Sequence, residues 1–125
     1  MKKGQAEPAP DELAKWETQL RKGGLGLAAL ATLWPGRLYG LEMLRRLESE
    51  AGLIVPEGTI YPLLSRLKAE GLVDSEWVES DAGHPRKYYR LTELGRRRVA
   101  DMAAAWKSFS GGLDRLLIPV EGQSR

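Results

Sequence analysis

Cysteine is absent from the chain, which excludes disulfide staples, thiolate metal sites and a cysteine nucleophile and fits a reducing compartment. Histidine is nearly absent: His84 stands alone, so no histidine-based metal cluster or proton relay can be assembled. Long apolar runs are missing too. The longest, residues 25–34, falls well short of the roughly 20 apolar residues a spanning helix needs. Charge of one sign is not in excess, because 19 Lys and Arg against 17 Asp and Glu leave a formal net charge of +2. Whole-chain charge therefore carries no signal for a nucleic-acid partner. The first four residues, Met1 to Gly4, lead into Gln5, Ala6, Glu7 and Pro8 rather than into the apolar core of a signal peptide. These absences lead us to expect a cytoplasmic protein with no membrane contact. Ser49, Ser65 and Ser75 have no accompanying base and oxyanion pattern, and the scattered carboxylates form no acid/base pair. No enzyme, no metal and no cofactor are expected.

What is present is a chain of 125 residues, the size of one domain with a modest core. Its centre is the stretch 56–73. Ile60, Leu63, Leu64 and Leu67 recur at the spacing of one helical face. The other face carries Thr59, Tyr61, Pro62, Ser65, Arg66 and Ala69, with Glu57 and Glu70 held at the ends. A helix facing only water is normally dense in Glu and Lys. One that lies against phosphates and base edges needs donors, small residues and few carboxylates, and the stretch is read as a DNA recognition helix. Pro62 leaves its start open by about one turn. With Thr59 as N-cap the proline falls in the first turn, whereas a start at Pro56 predicts a kink or a tightened first turn.

Taken in order, residues 1–10 are read as a flexible lead. A helix is predicted over 11–23, acidic at its start, basic at its end, stopped by Gly23 and Gly24, with a thin apolar stripe of Leu13, Trp16 and Leu20. A second, short and buried helix is predicted over 25–34, ended by Pro35 and Gly36. Leu41, Leu44, Leu47 and Ala51 then mark an amphipathic helix closed by Gly52. After Gly71 the apolar period changes from 3.6 to 2. Two strands, around 73–79 and 86–91, flank a turn-rich tip that contains His84, and predict a two-stranded hairpin. The tri-helical unit plus hairpin, residues 25–92, reads as a winged helix-turn-helix. Residues 84–98 carry six positive charges against one negative, and Arg86 and Lys87 fall where a wing meets DNA. Thr92 is a good N-cap for a last helix over 93–117. Its seam of Val99, Met102, Trp106, Phe109, Leu113 and Leu116 steps by three and four, the a/d pattern of a helix with a partner helix, most simply from a second subunit. Leu13, Trp16 and Leu20 are assigned to the same seam. Residues 118–125 are read as a fraying tail.

Four strings in this order carry a resemblance: Tyr39-Gly40; Gly58-Thr59-Ile60-Tyr61-Pro62-Leu63-Leu64-Ser65-Arg66-Leu67; Glu70-Gly71-Leu72-Val73; and Arg86-Lys87-Tyr88-Tyr89-Arg90-Leu91-Thr92-Glu93-Leu94-Gly95. Together they resemble the PadR family of bacterial transcriptional regulators, over roughly residues 25–117. The single last helix looks like the short-tailed subfamily. The resemblance implies a mainly α fold with a small β-hairpin, a homodimer joined through the last helix, and a repressor bound to double-stranded DNA at an inverted-repeat operator. It places Thr59, Tyr61, Pro62, Ser65 and Arg66 in the major groove, and His84, Arg86 and Lys87 on the backbone or minor groove.

Three readings stay open at this stage. Tyr61 either touches DNA or packs against the wing. Trp106 either fills the dimer seam or, with Met102 and Phe109, lines a pocket for a small planar aromatic effector, as a similarly placed tryptophan does in relatives. The near-neutral total charge keeps alive a winged-helix protein-interaction module that does not bind DNA.

Overall fold

The computed structural model describes residues 10–81 and 83–123. Four helices and three strands follow in the order α1 (Pro10–Thr32), β1 (Leu38–Tyr39), α2 (Gly40–Ala51), α3 (Glu57–Ala69), β2 (Val73–Val78), β3 (Arg86–Leu91) and α4 (Glu93–Gln123). The flexible lead expected over 1–10 lies outside the described residues except for Pro10, which opens α1.

One correction concerns α1. The helices expected over 11–23 and 25–34 form a single element, and Gly23-Gly24 does not stop it. Glycine in a helix costs about 1 kcal/mol relative to alanine but keeps its N–H, so the hydrogen-bond ladder is uninterrupted. The downstream half of the helix is held by burial of Ala29 and Leu30, and of Leu33 just beyond its end. The upstream half, residues 11–23, is exposed throughout and projects as an arm. The end of α1 is set by side chains from elsewhere: Arg46 of α2 donates to the Thr32 carbonyl at 3.1 Å, and Arg96 of α4 donates to the Trp34 carbonyl at 3.0 Å. Arg96 also stacks on the Trp34 ring at 4.5 Å. Two guanidiniums thus satisfy carbonyls that a helix end leaves unpaired.

The sheet also departs from expectation. It has three strands, not two, in the order β1-β3-β2, because Leu38 and Tyr39 pair antiparallel with Tyr89 and Tyr88. The segment read as a plain connection before α2 is an edge strand of two residues, too short to show a period. The register between β2 and β3 sets Ser75 opposite Tyr89 and Trp77 opposite Lys87. The alternation of 2 then turns Val73, Tyr89 and Leu91 toward the helices, and Arg86 and Tyr88 away.

One core joins these layers. Leu30, Leu33, Met43, Leu47, Ile60, Leu64, Leu72 and Val73 are all but inaccessible, each contributing roughly 1.5–3 kcal/mol relative to an exposed side chain. All four apolar residues predicted for the recognition helix are buried. In α2 the buried face is Gly40, Met43 and Leu47, while Leu41 and Ala51 are exposed, which rotates that helix from the stripe expected for it. The joint after α3 is tightly specified. Gly71, at φ 79°, lets its own N–H reach the Lys68 carbonyl at 2.9 Å and the Leu72 N–H reach the Leu67 carbonyl at 3.0 Å. Thr92 caps α4 as expected: its hydroxyl accepts from Gly95 N–H at 2.9 Å and donates to the Gly71 carbonyl at 2.6 Å.

α4 runs to Gln123, past the end expected at 117 and through Pro119. The proline forfeits its bond to the carbonyl four residues back and crowds that carbonyl, yet the helix continues past it, and the tail reading for 118–123 is corrected accordingly. Over 31 residues α4 spans about 46 Å, and only its first turns meet the core, through Val99 and Met102. The added length continues the seam to Val120, 58% exposed.

Candidate nucleic-acid interface

The start of α3 follows the second of the two open alternatives. Pro56 is the N-cap residue, so Thr59 lies within the first turn and Pro62 inside the helix. The first turn is tightened: Thr59 N–H and Ile60 N–H both reach the Pro56 carbonyl, at 2.9 and 3.1 Å. The proline adds no lost side-chain packing, because it lies on the exposed face.

With 100° between successive residues, the position most opposed to the buried face is shared by Gly58, Pro62, Ser65 and Ala69. These four have short side chains or none and are all exposed, so the backbone of α3 is only thinly covered there. No atom lies within 4 Å of a Cβ built at Gly58. The two flanks differ. Thr59 and Arg66 turn toward α1, where they line a groove with Lys22 and Gly26. Tyr61 and Lys68 turn toward the wing, and Lys68 Nζ donates to Ser75 Oγ of β2 at 2.8 Å. Lys68 thus ties the recognition helix to the wing. Arg66 lies 3.8 Å from Glu70, a loose and exposed pair of the kind that contributes little.

Tyr61 packs against the start of α2. A Cβ at Gly40 would fall 2.5 Å from its phenol oxygen, so the glycine makes room for the ring. Partial burial, helped by the carboxylate of Glu57, raises the Tyr61 pKa above the ordinary phenol value. Tyr89, behind it, is raised in the same sense by burial and then by Tyr61.

Between α3 and the wing lies an open cleft of about 540 Å³. It gathers Tyr61 and Ser65 of α3, Leu41 and Arg45 of α2, and Trp77, His84 and Lys87 of the wing. Lys87 Nζ sits 5.7 Å from the Trp77 ring centre and 5.8 Å from that of Tyr89, on the sheet face that looks at α3. Arg86, which the pleat turns to the other face of the strand, is stacked at 4.5 Å over Tyr39, and both of these side chains also border the cleft. The two wing cations grouped together from sequence are therefore not equivalent. His84 is exposed, and its carbonyl accepts the Ser80 hydroxyl at 2.5 Å across the wing tip.

Sequence reasoning missed Tyr39, Arg45 and Trp77 as members of this surface. Arg45 reads as one outward charge among several on an amphipathic helix, and nothing local marks it. For Trp77 a signal existed in the period of two, which sets it on the same face as Val73 and Ser75, yet near the tip of the hairpin, where the structure leaves it 67% exposed.

The seam residues are split between two arms. Val99 is buried and Met102 half-buried against the core, whereas Trp106, Phe109, Leu113 and Leu116 are 41 to 76% exposed. On the other arm Leu13, Trp16 and Leu20 are 47 to 57% exposed. Among the described residues no group of three or more metal-ligating side chains occurs, and no helix is long and apolar enough to cross a membrane.

Comparison with known proteins places this architecture. The profile of the transcriptional regulator PadR-like family matches residues 29–101. A PadR-like transcription factor from Bacteroides fragilis is 40% identical, covering 82% of this chain and 98% of its own, with a TM-score of 0.67. A PadR family transcriptional regulator from Eggerthella lenta is 33% identical over 86% of this chain and 94% of its own, with a TM-score of 0.76. Bacillus subtilis PadR, crystallised in complex with operator DNA, is 27% identical, with a TM-score of 0.59; the match covers 63% of this chain and 47% of that one.

Proposed function

The chain belongs to the PadR-like family of transcriptional regulators, and from that premise we propose that it is a dimeric repressor released by a small, planar aromatic effector. One observation carries the DNA-contacting part of this reading. The outermost surface of α3 is made of Gly58, Pro62, Ser65 and Ala69, so that a helix backbone enters a groove unobstructed while Thr59 and Arg66 on one flank and Tyr61 on the other reach its walls. The wing adds His84, Arg86 and Lys87 on the phosphate backbone. Support comes from the Bacillus subtilis relative, which was crystallised on operator DNA. The protein-interaction module without DNA contact is not retained, because the family is one of transcriptional regulators.

The two arms support the dimeric part of this reading. Leu13, Trp16 and Leu20 on α1, and Trp106, Phe109, Leu113 and Leu116 on α4, are apolar stripes that stay largely exposed among the described residues. A two-fold partner lays each stripe against the other, as an a/d seam requires. Half-sites are then about one helical turn or a multiple apart, in an inverted repeat.

The effector reading places a flat ligand between Trp106 and its symmetry mate, with Met102 and Phe109 beside it. A change in the angle of α4 there alters the distance between recognition helices, since Arg96 clips α4 to the end of α1. A gel shift on DNA upstream of the protein's own coding region, with excess nonspecific competitor, tests the DNA-binding part. A retarded band resistant to competitor supports it, and a band lost equally to any DNA sinks it. Tryptophan fluorescence quenching by planar compounds tests the effector, and equal quenching in Trp106→Ala overturns that part alone.

A further inference from the structure

Two guanidiniums lie on the rings of Tyr88 and Tyr39, and their surroundings differ: Arg86 also borders the cleft between α3 and the wing. Arg37 lies 4.6 Å from the Tyr88 ring centre, and its Nη1 is 2.9 Å from Glu76 Oε1. Arg86 lies 4.5 Å from the Tyr39 ring centre, and no carboxylate is within ion-pairing distance of it among the described residues. The two rings meet edge to face, 5.4 Å between centres. The four side chains form one stack, Arg37 on Tyr88, Tyr88 on Tyr39, Tyr39 on Arg86. One end is neutralised and the other keeps its charge.

The backbone of Tyr39 has separate tasks from its ring. The residue is paired with Tyr88 across the sheet, and its N–H donates to Glu42 Oε1 at 3.1 Å. β1 and the start of α2 are therefore held without the phenol. Tyr39 is only half-buried, so its ring is not needed to close the core. What the ring does is restrict a long, flexible cation at the start of β3, where the wing tip ends, beside the first turn of α2.

We propose that Tyr39 is a positioning residue for DNA binding: it holds the Arg86 guanidinium, by the face of its ring, at the place where the wing meets the phosphate backbone. The proposal rests on the reading that the wing contacts DNA. Pre-ordering removes rotamer freedom from Arg86 before binding, so less is lost when the phosphate contact forms. Arg37, already paired with Glu76, fixes the far end of the stack and makes no net charge available there. The attraction needs the ring and not the hydroxyl, because it acts through the quadrupole of the aromatic face.

The test measures operator affinity against salt for wild type, Tyr39→Phe, Tyr39→Leu, Arg86→Ala and the double variant Tyr39→Leu/Arg86→Ala. It is joined to the chemical shift of the Arg86 Nε–H in the free protein. Tyr39→Phe is expected to match wild type. Tyr39→Leu is expected to bind roughly two- to fivefold more weakly, the worth of an exposed cation–π contact. Arg86→Ala is expected to lose about one unit of salt slope, and the double variant to bind no worse than Arg86→Ala. The ring-current shift of the Arg86 signal is retained in Tyr39→Phe and lost in Tyr39→Leu, a readout that a merely structural role would not move.

Additive losses in the double variant overturn the proposal, as does a Tyr39→Phe that binds as weakly as Tyr39→Leu. If Arg86→Ala weakens binding and Tyr39→Leu does not, the positioning role alone fails. If Arg86→Ala binds like wild type, the DNA reading of the wing fails and the proposal with it.

Discussion

The Tyr61 ring lies against the Cα of Gly40, and the close approach locks the first turn of α2 to the recognition helix. Gly40→Ala is expected to destabilise the fold by about 1–3 kcal/mol, the usual penalty of overpacking, and to weaken DNA binding by tilting α3. Adding Tyr61→Leu to Gly40→Ala relieves the overlap and recovers part of the loss. Thermal melts of the three proteins check this, and a Gly40→Ala that melts with wild type is the contrary result.

Recognition helix and wing are expected to fail in different ways. Ser65→Ala and Arg66→Ala relax the preference for operator over random DNA, while Lys87→Ala weakens binding to all DNA and lowers the salt slope by about one. Competition gel shifts at two salt concentrations separate these outcomes. Unchanged binding in all three variants rules out the docking proposed above.

Thr92 ties the turn after α3 to the first turn of α4 through one hydroxyl, between the Gly71 carbonyl and the Gly95 amide. Thr92→Ala is expected to lose about 1 kcal/mol, up to about 2, and Thr92→Ser to lose less. Equilibrium denaturation by urea gives both values, and equal losses in Ala and Ser would point to the methyl group instead.

Charging the seam should separate the subunits. Leu113→Arg is expected to convert a dimer to monomers in sedimentation velocity and to abolish operator binding, leaving the helical circular dichroism signal of the winged domain in place. A Leu113→Arg protein that still sediments as a dimer contradicts the assignment of α4 as the interface.

Tyr61 and Tyr89 have pKa values raised by burial, so in the folded protein both stay neutral above the ordinary phenol value near 10. A group raised on folding contributes stability in full below its unfolded pKa and loses it as pH rises through the folded one. Stability is thus expected to be flat across neutral pH with respect to these groups and to fall in the alkaline range above about 10. Spectrophotometric titration of the four tyrosines should show late-ionising phenols, with one fewer in Tyr61→Phe.

Much of this architecture is local and was legible in the chain. The buried face of α3, the caps at Gly52, Gly71 and Thr92, and the change of period into β2 and β3 each rest on residues a few positions apart, so spacing alone determines them. The family follows from the same strings.

Tertiary structure decided what depends on packing across the chain. The glycines of α1 look like a stop, yet burial of Ala29, Leu30 and Leu33 carries the helix through them. β1 is two residues long and exists only because β3 offers it an edge. The rotation of α2, with Met43 inward and Leu41 toward the cleft, is chosen by its neighbours rather than by its own stripe. The separation of Arg86 from Lys87 follows the same logic. Adjacent in sequence and alike in charge, they are divided by the pleat of a strand, and only the elements packed around the sheet determine that one stacks on Tyr39 while the other sits beside Trp77 and Tyr89.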